Sequence, residues 1–242
     1  MSLIYGHRGA SAYAPENTLE AFQLAMNMGA DGFELDVHMS SDGHLVVIHD
    51  ETVDRTTNGT GFVRDFTLEQ LKALDASNGM TAYRGAKIPT LEEVFNLVRH
   101  TKHIVNVEIK TDECFYPGME EKCLELTARM GLEDRVIYSS FNHFTLMKLR
   151  QMKPDVRLGM LFGDIMVNPW EYARQLGVDY LHPMKLNIYT PGFAKDAEKA
   201  GYGVNMWTFN DAQTMQVCLE QNAGIITNYP DIAVALRAEK NK

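Results

Sequence analysis

Asn168-Pro169-Trp170-Glu171-Tyr172-Ala173-Arg174-Gln175-Leu176-Gly177-Val178-Asp179-Tyr180-Leu181 reads as a helix followed by a strand. Asn168 has the character of an N-cap, Pro169 suits the first helical position, and Gly177 ends the helix before a short apolar run. The pattern then repeats down the chain. Thr190-Pro191 opens a second helix that closes at Ala200-Gly201, ahead of Tyr202-Gly203-Val204-Asn205-Met206-Trp207. Asn210 is the expected cap of a third, which closes near Gly224 ahead of Ile225-Ile226-Thr227. The closing glycines Gly177, Gly201 and Gly224 are 24 and 23 residues apart. That interval is what one helix, one strand and two short loops occupy, so the stretch is an array of βα units.

The same grammar runs through the first half. Asn17-Thr18-Leu19-Glu20 resembles a capped start with Leu19, Phe22 and Met26 on one helical face, and Gly29 closes it before Phe33–Val37. Thr90-Leu91-Glu92-Glu93 is a capping box whose helix leads into Ile104–Lys110. Gly131 precedes Val136-Ile137-Tyr138, and Pro154 stops a helix before Arg157–Leu161. Eight strands follow, near Leu3, Phe33, Ile104, Val136, Arg157, Tyr180, Gly203 and Ile225. Eight βα units in a chain of 242 residues predict the α/β class and a (β/α)8 TIM barrel.

Residues 39–89 do not fit the count. They hold a hairpin-like Ser41-Asp42-Gly43-His44, a strand Leu45–Ile48, the polar Arg55-Thr56-Thr57-Asn58-Gly59-Thr60-Gly61, and a short helix at Thr67–Leu74. An insertion after the second strand sits on the C-terminal rim of a barrel, where catalytic loops lie. The expected organisation is a single barrel domain over 1–242 with a small cap-like insertion at about 39–89.

Composition narrows the classes of partner. The formal charge of −9 opposes binding a polyanion such as nucleic acid. Met1–Tyr5 has no basic leader, no later run is long and apolar enough to span a bilayer, and the only polar tail is Glu239–Lys242. Cys114, Cys123 and Cys218 are odd in number and lack metal-type spacing. Such usage fits a reducing compartment, so a cytoplasmic protein without stable membrane association is expected, with a homo-oligomer left open.

Two strand-like runs carry the chemistry. In Phe33-Glu34-Leu35-Asp36-Val37 and Val107-Glu108-Ile109-Lys110, charged and apolar residues alternate, so Glu34 shares a face with Asp36, and Glu108 with Lys110. Such a stripe also fits an antiparallel sheet with one wet face. In a barrel, however, Phe33, Leu35, Val37, Val105, Val107 and Ile109 must face the helices, which turns the carboxylates toward the axis. Clustered carboxylates there repel one another and lose hydration, and Lys110 offsets only one charge. A divalent metal is the natural remedy. Oxygen ligands favour Mg²⁺ or Ca²⁺, with nearby histidines leaving zinc open. Salt bridging among Lys110, Glu34 and Arg8 is the purely structural alternative.

Strand one ends in Gly6-His7-Arg8-Gly9 and the insertion strand in His49-Asp50. Two histidines beside a metal and an arginine make a general acid/base pair next to an anion site. His44, His100, His103 and His143 fall at turns or helix ends, His38 continues the polar stripe, and His182 follows a strand, where it could line the pocket.

These motifs resemble the glycerophosphodiester phosphodiesterase family. Gly6-His7-Arg8-Gly9, Pro15-Glu16-Asn17-Thr18, Phe33–Val37, His49-Asp50, Arg55-Thr56-Thr57, Ile88-Pro89-Thr90-Leu91 and Glu108-Ile109-Lys110 stand in the family's order. Val204-Asn205-Met206-Trp207-Thr208 and Thr227-Asn228-Tyr229-Pro230-Asp231 extend the match to essentially the whole chain. The resemblance implies a (β/α)8 barrel that hydrolyses glycerophosphodiesters, in effect deacylated phospholipids, to glycerol 3-phosphate and an alcohol. It implies Glu34, Asp36 and Glu108 as metal ligands and His7 and His49 as the acid/base pair. Arg8 and Lys110 would hold the phosphate oxygens, and Trp207 and Phe141 would wall the pocket. Asn228 departs from the aspartate the family often has. Water or the glycerol's 2-hydroxyl can serve as nucleophile, the latter through a cyclic phosphate. The rivals are a lysophospholipase D-like or phospholipase C-like enzyme on intact lipids, for which no basic amphipathic segment is present, and a non-catalytic phosphodiester-binding barrel.

Overall fold

The computed structural model describes residues 2–240. Met1 of the amino-terminal stretch, and Asn241 and Lys242 of the polar tail, lie outside the described residues. The first half contains β1 (Ile4–His7), α1 (Leu19–Asn27), β2 (Gly32–Met39), β3 (Leu45–Val47), α2 (Leu68–Ala73) and α3 (Leu91–Val98). It continues with β4 (Ile104–Ile109), α4 (Met119–Met130), β5 (Val136–Ser140) and α5 (His143–Met152). The second half is β6 (Leu158–Phe162), α6 (Pro169–Leu176), β7 (Tyr180–Pro183), α7 (Phe193–Lys199), β8 (Gly203–Met206), α8 (Ala212–Glu220), β9 (Gly224–Thr227) and α9 (Pro230–Lys240).

All these strands except β3 run parallel, and β1 pairs with both β9 and β2, which closes an eight-stranded barrel. The predicted TIM barrel is the observed fold. Register fixes which side chains point inward. His7 pairs with Glu34, Glu34 with Asn106, Asp36 with Glu108, and Glu108 with Ser139, so all of them share the inner face. The alternate residues Phe33, Leu35, Val37, Val105, Val107 and Ile109 are buried in the layer between strands and helices. Phe33 stacks there on Phe22 of α1, centroids 4.5 Å apart.

Beyond the barrel, β2 continues as a hairpin with antiparallel β3, Val37 opposite Val47 and Met39 opposite Leu45. The insertion that follows has its own small apolar cluster of Val46, Ile48, Val53, Val63, Leu71, Ala76 and Ile88. Residues 39–89 therefore carry a small core of their own, while Leu45 and Val47 of β3 pack into the core of the barrel.

Helix starts differ from the sequence reading at three places. Asn168 is left-handed (φ 48°) and makes no side-chain cap bond, so Pro169 alone sets the start of α6. A 3₁₀ turn over Lys185–Tyr189 delays α7 until after Gly192, whose φ of 76° suits glycine. Asp211, not Asn210, caps α8 by accepting from Thr214 N. At α1 the capped start expected over Asn17–Glu20 is present, with Thr18 as the cap accepting from Ala21 N and the Asn17 side chain left for the site.

Candidate active site

The end of β1 shapes the first part of the site. A Cβ on Gly9 would lie 2.5 Å from the Ala21 backbone, so only glycine lets this turn sit on α1. Arg8 is held in the left-handed region (φ 54°), a strained state for a side-chain-bearing residue. Its backbone N–H donates to Glu34 Oε2 at 3.0 Å, and its Nε lies 3.3 Å from Asp36 Oδ2. The strain thus aims both the amide and the guanidinium of one residue at the carboxylates.

Glu34, Asp36 and Glu108 each offer an oxygen within 4.8 Å of the other two, and all three residues are buried. Burial, Asp36 and Glu108 together push the Glu34 carboxyl well above the usual range. Burial and then Asp36 push Glu108 up to about 7, against the pull of Lys110, whose Nζ lies 3.1 Å from Glu108 Oε1. Burial also works against the charge on Asp36, but Arg8, His49 and Lys110 outweigh it and hold that carboxyl below its ordinary value. For Lys110, burial is outweighed by Glu108 and Asp36, so the ammonium is strengthened.

This arrangement fits a divalent cation. The protein alone cannot keep three such carboxylates ionised, and the buried Asp36 Oδ1 has no hydrogen-bond partner among the described residues. Asp36 Oδ2 is already taken by Asn17 Nδ2 at 2.8 Å, which leaves Oδ1 as the free donor atom. Asn17 is itself left-handed (φ 57°) and buried.

The two histidines line the same cavity with different partners. His7 Nδ1 is 2.7 Å from Asn228 Oδ1, on the loop after β9. Burial, followed by the Arg8 cation, pushes His7 down to about 4. His49 Nδ1 is 2.6 Å from Asp50 Oδ1. The backbone oxygen of His49 accepts from Nε2 of the buried His38 at 3.0 Å, and His38 Nδ1 meets the Tyr116 hydroxyl at 2.9 Å. His38 therefore braces His49. His182 does not line the pocket: it lies fully buried inside the barrel, its Nε2 3.1 Å from Asn205 Nδ2.

A cavity at the C-terminal mouth is lined by His7, Arg8, Glu34, His49, Asn106, Glu108, Phe141, Leu161, Trp207 and Ile226. Its polar side is the charged cluster. Its apolar side includes Phe141 and Trp207 in edge-to-face contact, centroids 5.5 Å apart and planes at 88°. Trp207 Nε1 donates to His182 O at 2.8 Å, so the indole presents only its ring. A larger cleft of about 690 Å³ lies between the insertion, α3 and α4. Its cations are already engaged with carboxylates or backbone: Lys72 with Glu93, Arg129 with Glu92, and Lys122 with Gly43 O.

With this geometry in place, the sequence profile of the "Glycerophosphoryl diester phosphodiesterase family" matches residues 7–232. The chain belongs to that family. It is 45% identical over 237 residues to the glycerophosphodiester phosphodiesterase of Caldanaerobacter subterraneus subsp. tengcongensis, with 97% of each chain covered. It is 39% identical to that of Bacillus altitudinis, with 99% of each covered. Among solved structures, the glycerophosphodiester phosphodiesterase of Agrobacterium tumefaciens superposes with a TM-score of 0.87 at 32% identity, covering 97% of this chain and 100% of that one. An Oleispira antarctica phosphodiesterase, solved in complex with the product sn-glycerol-3-phosphate, gives 0.84 at 29%, covering 98% and 96%.

As a glycerophosphodiester phosphodiesterase, the protein is a hydrolase of phosphoric diesters. The structure brings together all nine residues singled out in the sequence: His7, Arg8, Glu34, Asp36, His49, Glu108, Lys110, Phe141 and Trp207. Sequence reading missed Asn17, Asn106 and the brace at His38. Asn106, two residues before Glu108, and His38, two residues after Asp36, had a periodic signal on the strand face that carries the carboxylates.

Proposed function

We propose that the protein hydrolyses glycerophosphodiesters to glycerol 3-phosphate and an alcohol in a metal-dependent reaction, with His7 and His49 as the proton-transfer pair. The observation that carries this reading is the meeting of three mutually repelling carboxylates with two histidines and two cations at one barrel mouth. Glu34, Asp36 and Glu108 would hold one Mg²⁺ or Ca²⁺. When bound, such an ion supplies positive charge that stabilises the phosphate oxygens as the bond to the leaving alcohol breaks.

The remaining work falls to the chain's own groups. The Arg8 guanidinium and Lys110 ammonium bind the anionic phosphate oxygens and lower their repulsion of a nucleophile. His7, kept neutral by burial and Arg8, bears its proton on Nδ1, where Asn228 accepts it, and so offers Nε2 as the base. His49 shares its Nδ1 with the carboxylate of Asp50, the partner suited to an imidazolium, and so is the acid that protonates the leaving oxygen. The nucleophile is water or the glycerol 2-hydroxyl. Phe141 and Trp207 seat the glycerol carbons against an apolar wall and limit water on that side.

Residues 1–242 act as one barrel domain with 39–89 as its cap. Among the described residues no helix is long and apolar enough to cross a membrane, and the three cysteines are free and buried. We place the protein in the cytoplasm without stable membrane association.

One observation favours a second reading, a monoacyl substrate. Phe115, Phe144, Ile165 and Val167 are 77%, 81%, 62% and 91% exposed on or beside the rim loops after β4, β5 and β6, where an acyl chain leaving the mouth would meet them. The test is release of glycerol 3-phosphate from glycerophosphocholine and glycerophosphoethanolamine, and of choline with 1-acylglycerol 3-phosphate from lysophosphatidylcholine, each with and without Mg²⁺ or Ca²⁺. Metal-stimulated turnover of the first two supports the proposal, and preference for the third supports the second reading. No release from any of them, with metal supplied, contradicts both.

A further inference from the structure

We infer that Arg55 is a positioning residue that latches the insertion onto the barrel and, through that latch, holds the catalytic arms of both sides in register. The inference rests on the proton-transfer roles given above to His7 and His49.

Arg55 lies in the insertion and reaches two carboxylates with one planar fork. Its Nη1 and Nη2 donate to Glu16 Oε2 and Oε1, each at 2.8 Å. Its Nε and Nη2 donate to Asp50 Oδ2 and Oδ1 at 2.7 and 2.9 Å. Each acceptor has a second task. Asp50 Oδ1 orients the His49 ring, and Glu16 Oε1 accepts from Arg8 Nη1 at 2.9 Å. A continuous chain therefore runs His49, Asp50, Arg55, Glu16, Arg8, from the end of the insertion strand to the end of β1.

The bland alternative is an exposed salt bridge worth ~1 kcal/mol or less. Two features set this one apart. The fork is bidentate to Glu16 and also doubly bonded to Asp50, a geometry that lysine cannot reproduce. In addition, His38 pins only the backbone of His49, so the direction of its ring is left to Asp50. With Arg55 removed, Asp50 keeps only its contact with His49 Nδ1 and loses both guanidinium bonds that fix the plane of its carboxylate. Arg55 is 44% exposed in its side chain, so truncation leaves no buried cavity.

The experiment compares kcat, KM and Tm on glycerophosphocholine, at saturating Mg²⁺, for wild type, R55A, R55K, E16Q, D50N and the double variant R55A/D50N, with H7A and H49A as references. Expected is a ~10- to 100-fold fall in kcat for R55A, the range typical of lost supporting shells, with KM changed less than ~3-fold and Tm nearly unchanged. E16Q opens the same latch from the barrel side and falls likewise, R55K recovers part of the loss, and R55A/D50N is no worse than D50N alone. Wild-type kcat in R55A beside an inactive H49A overturns the latch alone, as does multiplication of the R55A and D50N losses. Loss confined to Tm and KM also overturns it. Wild-type kcat in both H7A and H49A overturns the acid/base reading itself, and the latch with it.

Discussion

The Nδ1 of His7 donates to the Oδ1 of Asn228 across 2.7 Å, from the end of β1 to the loop after β9. An amide oxygen fixes the tautomer and the ring direction but brings no negative charge, so the upward pull of this hydrogen bond falls short of the burial and the Arg8 cation that push His7 down to about 4. Replacing the amide by a carboxylate tests that account. Asn228→Asp is expected to raise the His7 value by ~1 unit or more, since an opposite charge at this range shifts a titration by that order. Activity that needs neutral His7 is lost below its pKa, so the acid-side inflection of the kcat/KM profile moves to higher pH. An unmoved inflection shows that His7 is not the base.

The Glu34 carboxyl is raised in the folded state, so the folded chain binds a proton there more readily than the unfolded one. The cost of keeping it ionised is absent below its ordinary value of 4.5 and fully present above its folded value. Glu34→Gln removes that cost while keeping an oxygen for the Arg8 amide. In chelator-treated protein at pH 8, E34Q is therefore expected to melt ~2–4 °C above wild type, the shift ~1 kcal/mol gives in a chain of this size, with the gap closing toward pH 4.5. Adding Mg²⁺ or Ca²⁺ reverses the order, because only wild type retains all three carboxylates. Thermal melts at both pH values, with and without metal, check this, and a metal-free E34Q that is less stable at pH 8 contradicts it.

Trp207 spends its only donor on His182 O, which leaves ring area as its contribution to the pocket. Trp207→Phe keeps a ring against Phe141, so KM for glycerophosphocholine is expected within ~3-fold of wild type. Trp207→Ala removes the wall and is expected to raise KM by ~10-fold, the order for one lost apolar anchor of 1–2 kcal/mol. Steady-state kinetics on the two variants decide it; equal losses in both point to an indole-specific contact instead.

The barrel was legible because closing glycines and apolar runs recur at the length of a βα unit, and strand alternation carried Glu34, Asp36, Glu108 and Lys110 to one face. Helix starts were less legible where a left-handed residue or a 3₁₀ turn intervenes, as at Asn168 and Gly192, because caps are set by local backbone geometry that composition does not fix. Asn17 and Arg55 left no periodic mark. They lie in loops, and their roles depend on Asp36, Glu16 and Asp50 being brought near by the closed fold. His38 did sit on the polar stripe, but only the hairpin of β2 with β3 shows that the stripe there braces His49.

If Glu34, Asp36 and Glu108 hold the divalent metal proposed above, turnover depends on that ion. The most direct measurement is glycerol 3-phosphate release from glycerophosphocholine by chelator-stripped protein, before and after Mg²⁺ or Ca²⁺ is restored. The account predicts no release from the stripped protein, recovery on adding one of these ions, and no recovery in a Glu34→Gln, Glu108→Gln double variant. Full activity in the stripped protein would contradict it.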